Sequence, residues 1–308
     1  MTAYVVSRLL QAVVVLWGVS VIVFALLRLA PSDPVTLMLA ETASPEQIAQ
    51  ARHSLGLDQP IYAQYLLFVG HALQGDLGES LFYKEPALAV ILGALPRTLL
   101  LGGVAFVLSV AVAVPVGILS AVRRDTVWDY LGIGLTLVGQ ATPPYWLGIM
   151  LILLFSVNLH LLPTSGSFTP SHLVLPAVTL AAVLMPVVTR LVRSGMLDVL
   201  HEDYLRTARA KGLPERTVLS QHALRNMLIP LVTVLGLQLP ALLGGAVIIE
   251  QVFSWPGVGQ IAVNAISSRD YPVVQADVLV VSAAFVFVNL LIDLLYGWLD
   301  PRVRVRSV

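Results

Sequence analysis

The strongest constraint on this chain is a recurrence of apolar runs, each near the roughly 20 residues that cross a bilayer as a helix. In hydrocarbon every backbone N–H and C=O must find its partner within the chain, so such runs admit helices and little else. Six are read, at about Leu9 to Leu27, Leu99 to Val122, Leu131 to Val157, Leu173 to Val192, Leu228 to Ile249 and Val278 to Trp298. Composition points the same way: 57% of the 308 residues are hydrophobic and 12% are charged, about half the charge that a soluble domain spreads over its surface. The expected fold is an all-α polytopic membrane protein with six transmembrane helices and a long segment outside the membrane between helices 1 and 2.

The first run follows Arg8, as a cleaved secretory signal would, but its apolar stretch is too long for a signal core and no A-x-A-like site follows. The chain continues instead as Arg28-Leu29-Ala30-Pro31, so the run is read as a membrane anchor. With no cysteine present, disulfides, thiolate metal sites and cysteine catalysis are excluded together.

Six spans make the connecting segments alternate between the two sides, and the basic residues choose the orientation. One side collects 13 of the 18: Arg8, Arg123, Arg124, Arg190, Arg193, Arg206, Arg209, Lys211, Arg216, Arg225, Arg302, Arg304 and Arg306. Arg28, Arg52, Lys84, Arg97 and Arg269 fall on the other. Both termini are therefore expected in the cytoplasm. The outer side then holds about Leu29 to Arg97, a short loop from His160 to His172, and a loop from Glu250 to Asp277. Within the first, SPEQIAQARHSLGL has a Ser44-Pro45 start and a Gly56 stop, which predicts a short amphipathic helix, either a solvated cap or a substrate contact.

A polar block, YLRTARAKGLPERTVLSQHALRNMLIP (204–230), interrupts the oily pattern. Leu200, Tyr204, Leu205 and Ala208 fall on one helical face, and Glu202 and Arg206 stand at i, i+4. Gly212 stops that helix and Pro214 follows, after which a second short helix is expected from about Glu215 to Met227. Two punctuated helices between spans four and five form an elbow that either docks another protein or caps the bundle.

The elbow resembles the EAA loop of permease subunits of ATP-binding-cassette (ABC) importers. Aligning that motif's glycine on Gly212 matches Ala208, Gly212 and Leu224, while Arg206 stands where the motif has its leading acid. The form YLRTARAKGL...HALRN is similar to that of the dipeptide, oligopeptide and nickel permease branch. GVSVIVFALLRLAPSDPV (18–35), LGLDQPIYAQY...LQGDLGESL (55–81) and VFSWPGVGQIAVNAISSRDYPVVQ (252–275) resemble other parts of that branch in the same order.

The resemblance implies a type I ABC importer transmembrane domain (MetI-like), with 1–95 as first helix plus extracytoplasmic segment, 96–300 as permease domain and 198–227 as coupling loop. Glu202, Asp203, Tyr204, Arg206, Thr207, Ala208, Arg209, Ala210, Lys211, Gly212 and Leu213 would couple to the ATPase. The implied partners are a second homologous permease, two ABC ATPase domains, an extracytoplasmic substrate-binding protein, a peptide or nickel-complex substrate and membrane lipid, with no nucleic acid. ATP and Mg²⁺ would bind the partner ATPases, leaving this chain without a cofactor.

The residues exclude an on-board engine. A Walker A loop needs Lys followed by Ser or Thr, yet Lys84 precedes Glu85 and Lys211 precedes Gly212, and there is no other lysine. No H-E-x-x-H or G-x-S-x-G occurs, and His71, His160 and His172 lack metal-ligand spacing, so no catalytic or metal residue is assigned.

Polar groups at membrane depth are few. Gln140, Thr142, Gln238 and Asn289 are candidates for a translocation path or for helix-to-helix hydrogen bonds, while Arg28, Arg193, Glu250 and Asp293 sit near span ends within reach of the interface. An ion-coupled secondary transporter, the rival class, would ordinarily show buried carboxylates and paired halves. In the last outer loop SWPGVG and RDYP bracket an apolar helical run, making Trp255, Pro256, Gly257, Gly259, Asp270 and Tyr271 candidates for an outer gate or a rigid lid.

Overall fold

The computed structural model describes residues 2–29 and 58–299, together with positions 44, 46 and 50. The short helix expected over 44–57 lies outside the described residues apart from Ser44, Glu46 and Gln50. Helices follow in the order α1 (Thr2–Leu29), α2 (Ile61–Leu73), α3 (Ala87–Val122), α4 (Val127–Ala141), α5 (Pro144–Leu151), α6 (Val174–Leu200), α7 (Asp203–Ala210), α8 (Glu215–Thr217), α9 (Leu224–Val252), α10 (Val258–Ser267) and α11 (Tyr271–Leu299). A π-helical stretch, Ile152–Asn158, prolongs α5, and another, Val218–Ala223, joins α8 to α9. Among the described residues four helices are long and apolar enough to cross a membrane alone, and six spans result if each of two bent pairs counts as one.

The third span departs from the straight crossing expected. α4 and the α5 arm, Pro144–Asn158, meet at 106°. The cause is local: a residue before proline is pushed out of the helical region, and here Thr142 and Pro143 each precede one. Both are extended, at ψ 128° and 131°. The Thr142 hydroxyl donates to the Val138 carbonyl at 2.7 Å, and Pro144 opens the next arm, where its missing N–H costs nothing. Each arm is about 22 Å long at 1.5 Å per residue, short of a bilayer core of about 30 Å.

The second span starts at Ala87 rather than near Leu99. Its 36 residues place Arg97 inside the helix instead of in the preceding segment.

The described residues form two compact units. The first runs from Arg97 to Gly259 and takes in the end of α11 from Leu291. α6 packs there against α4, α5 and α9, burying Leu180, Leu184, Val188, Val192 and Met196 among Leu231, Leu242, Ala246 and Ile249 of α9. Lipid is as apolar as leucine, so close fit and polar contacts hold such helices together. One polar contact dominates: Arg193 Nε and Nη2 of α6 donate to Asp129 Oδ1 and Oδ2 of α4 at 2.8 and 2.7 Å, and the Asp125 amide adds a third bond at 3.0 Å. Arg193, expected near a span end, is held there by an acid that the spacing of the sequence did not single out.

The second unit holds Thr2–Pro96 and Gln260–Leu290. In it α2 lies against α1, with Ser20 Oγ and Tyr65 Oη 2.8 Å apart and the Phe24 ring 5.4 Å from Tyr65 and 5.7 Å from Phe68.

Removing one partner of a fully buried ion pair strands the other at about 3–5 kcal/mol; here Asp129 is buried and Arg193 half-buried, so that figure is an upper bound. Asp129→Ala is expected to destabilise the detergent-solubilised protein by up to that amount, and adding Arg193→Leu to recover part of the loss. A double-mutant cycle on denaturant unfolding measures it.

Candidate functional site

α7 has eight residues, DYLRTARA, and buries one face through Leu205 and Ala208, three positions apart. Full burial of a leucine outside the membrane is worth about 1.5–3 kcal/mol, so Leu205 is the anchor of the elbow. Tyr204 does not join that face as its spacing suggests; it is 39% exposed. Arg206 pairs with Asp203 at 3.4 Å and not with Glu202. Glu202 is the N-cap, with extended backbone at ψ 142°, so it lies off the helical surface on which an i, i+4 pair would form.

The turn is closed by backbone geometry. Gly212 has φ +76°, its amide donates to the Arg209 carbonyl at 2.9 Å, and the Leu213 amide donates to the Ala208 carbonyl at 3.4 Å. This pair of bonds is the Schellman C-cap, whose left-handed position suits glycine. A Cβ built on Gly212 would meet nothing within 4 Å, so the backbone angle rather than space restricts the position.

Across the turn Arg209 Nε and Nη2 donate to Glu215 Oε2 and Oε1 at 3.1 and 2.9 Å. The Arg209 guanidinium holds the Glu215 carboxyl below its usual range, and the carboxylate raises Arg209 in return. The second helix expected over Glu215 to Met227 is present as an arm from Glu215 to Leu228, built from α8, the π-helical stretch and the start of α9, and it meets Pro230–Leu242 at 59°. Val218, Ala223 and Met227 are buried along it. The elbow thus joins the fifth span through a bend at Pro230. Its outward surface carries Tyr204, Arg206, Thr207, Ala210, Lys211 and Leu213.

At the other end of α9 the SWPGVG loop folds onto a carboxylate. Glu250 is fully buried. It accepts from Thr98 Oγ1 at 2.5 Å and from the Gly259 amide at 2.8 Å, while Thr98 Oγ1 accepts from the Val258 amide at 2.9 Å. The buried Trp255 donates through Nε1 to the Arg97 carbonyl at 3.1 Å, beside the half-buried Pro256. A Cβ on Gly257 would collide with the Glu250 carboxylate and Thr98 Oγ1, so only glycine allows this approach. Glu250 was expected to reach for the interface; its buried bonds to the loop decide otherwise.

In the second unit Asp270 is buried, its Oδ2 accepting from Ser80 Oγ at 2.5 Å and the Phe82 amide at 3.2 Å, with the half-buried Tyr271 next to it. Asp270 thereby clasps the loop following Gly78.

The four path candidates are less organised. Gln140 is exposed in the last turn of α4, Thr142 is engaged at the break, Gln238 is half-buried on α9, and Asn289 donates to its own helix at Phe285 O, 3.1 Å. No hydrogen bond joins Gln140, Thr142 and Gln238 among the described residues. His172 Nδ1 stands 2.8 Å from Thr169 Oγ1 in a capping box, and no metal-holding cluster of three ligands occurs among the described residues.

Sequence reasoning missed Asp129, Thr98 and the burial of Glu250. An acid near a predicted span boundary, facing an arginine more than sixty positions away, gives no periodic signal.

Apolar spans around α6, two of them bent by more than 40°, with an ordered elbow between spans four and five, fit the membrane component of a transporter. Residues 113–305 match the family described as binding-protein-dependent transport system inner membrane component, and residues 1–102 match the N-terminal family of the same membrane components. The chain belongs to this family and is a multi-pass inner-membrane protein. The dipeptide transport system permease protein of Escherichia coli strain K12 is 40% identical over a 339-residue alignment, covering 100% of both chains. The oligopeptide transport system permease protein of Bacillus subtilis strain 168 is 43% identical over 317 residues, covering 99% of this chain and 100% of that one. A solved structure of the inward-facing MetNI methionine ABC transporter matches with a TM-score of 0.58 at 20% identity, covering 70% of this chain and 99% of its own, a likeness of fold.

Gly212→Val is expected to cost about 1–2 kcal/mol through backbone strain alone, and Gly212→Asn, which tolerates the left-handed region, much less. Amide exchange at Gly212 and Leu213 ranks the two. A depressed carboxyl pKa means that the Glu215 clasp is fully present above the ordinary carboxylate range and is lost as pH falls through the folded value. The extra protection of the elbow over a Glu215→Gln variant should therefore be present at about pH 7 and decline as pH falls below the ordinary carboxylate range.

Proposed function

We propose that this chain forms one half of the translocation path of an ABC importer for di- and oligopeptides. A second, similar permease supplies the other half, two ATPase domains bind ATP and Mg²⁺, and an extracytoplasmic binding protein delivers substrate. The carrying observation is the elbow: a Schellman turn, a charge clasp and buried Leu205 order it, and its second arm meets the fifth span at the 59° bend, so a push on the elbow bears on that span. Relatives named as dipeptide and oligopeptide permeases, aligned over their whole length, support the substrate class.

In this reading both termini are cytoplasmic, supported by the 13 basic residues on that side. Residues 96–300 are the permease domain, and Glu202 to Leu213 within 198–227 are the surface that meets the ATPase. Gln140, Thr142, Gln238 and Asn289 contribute to the path. Trp255, Pro256, Gly257, Gly259, Asp270 and Tyr271 belong to the outer gate, where the Glu250 hub makes the SWPGVG loop move with α9.

Reconstitution into proteoliposomes with the second permease, the ATPases and the binding protein is expected to give ATP-dependent uptake of labelled dipeptide, and Gly212→Val to hydrolyse ATP without uptake. Accumulation driven by an ion gradient with no ATPase present would overturn the proposal.

A further inference from the structure

Helix α2 carries no fully buried residue, although it is apolar along nearly its whole length, IYAQYLLFVGHAL. Tyr62, Leu66 and Leu73 recur at i, i+4 and i+11, which places them on one narrow stripe, and they are 68%, 68% and 84% exposed. A bare apolar face of this kind in water would be a liability.

Its attachment to α1 gives its depth. The membrane window of α1 is Val5–Ala25, with Val15 at its middle. Ser20 and Phe24, the residues that hold Tyr65 and Phe68, stand five and nine positions beyond that middle. At 1.5 Å per residue these are about 8 and 14 Å from the midplane, inside a hydrocarbon half-thickness of about 15 Å, and any tilt of α1 brings them closer still. At 13 residues α2 is about 20 Å long and too short to cross. Asp58 and Gln59 stand before it, and Gln74 and Asp76 follow it, so polar chain lies at both ends.

We infer that α2 is an interfacial helix, seated in the leaflet where α1 ends, with its Tyr62–Leu66–Leu73 face covered by lipid acyl chains. Such helices bury their apolar face about 5–10 Å into the boundary between headgroups and chains; the Ser20 contact lies about 7 Å below the edge of the hydrocarbon core, within that range, and the Phe24 contact about 1 Å below it. The exposed apolar face of α1, including Trp17 and Ile22, continues into the same lipid. The segment between the first two spans is therefore not wholly aqueous: α2 anchors it to the membrane surface. The name of the leaflet, extracytoplasmic, rests on the proposed orientation; the burial in lipid does not.

The chain has no cysteine, so single-cysteine variants report one site each. Leu66→Cys, Leu73→Cys and, as the aqueous reference, Gln74→Cys are made in the full chain in native membranes, with insertion and folding checked by protease resistance. A membrane-impermeant maleimide is expected to label Gln74→Cys in intact cells and to lose that labelling at Leu66→Cys and Leu73→Cys. A nitroxide at Leu66→Cys should relax with oxygen and not with a water-soluble nickel chelate. Labelling of Leu66→Cys as fast as Gln74→Cys would put the face in water and overturn the inference. A nitroxide shielded from both oxygen and nickel would mean that protein covers the face, and would overturn it equally. Labelling of Gln74→Cys only in inverted vesicles would reverse the orientation while leaving the lipid contact standing.

Discussion

The spans of this structure answer the cost of an unpaired peptide group in hydrocarbon, and its turns the cost of an unpaired one at a helix end. Helices answer the first, and each departure from helix carries its own local repair. At Thr142–Pro144 the repair is a hydroxyl returned to the Val138 carbonyl and a proline placed where its missing N–H is harmless. At Gly212 it is a pair of backbone bonds closing the helix end. At the end of α9 it is Glu250, which takes up the Gly259 amide and orders Thr98 to take up that of Val258.

These repairs also divide rigid from bendable elements. The elbow and the SWPGVG loop, at opposite ends of α9, are each held by several short bonds, while the helix between them contains Pro230 and Pro240. Proline removes an internal hydrogen bond and permits a bend. An arrangement of stiff ends on a bendable span suits a subunit that must pass a mechanical signal across a membrane without dissipating it in its own loops.

Charge is deployed sparingly and in buried positions. Asp129, Glu250 and Asp270 are all buried, and each ties elements far apart in sequence: α4 to α6, α9 to α3, and the loop after Gly78 to the start of α11. Removing one partner of such a buried contact strands the other, so each favours the packing that forms it. In a bundle whose helix faces are mostly interchangeable aliphatic side chains, that preference is what distinguishes one packing from its neighbours.

The helical class, the location of the spans and the turn at Gly212 were legible from residue order, because all three depend on local rules: apolar run length, the left-handed preference of glycine and the stop signals around it. The resemblance carried by the elbow and the outer loops led to the family that the comparisons then established. Tertiary structure alone decided that span three is broken by 106° and not merely kinked, that Tyr204 faces out while Leu205 faces in, that Arg193 is paired with Asp129 and that Glu250 is buried. Those outcomes depend on which distant side chain arrives opposite each residue, and periodicity along a single helix holds no record of that.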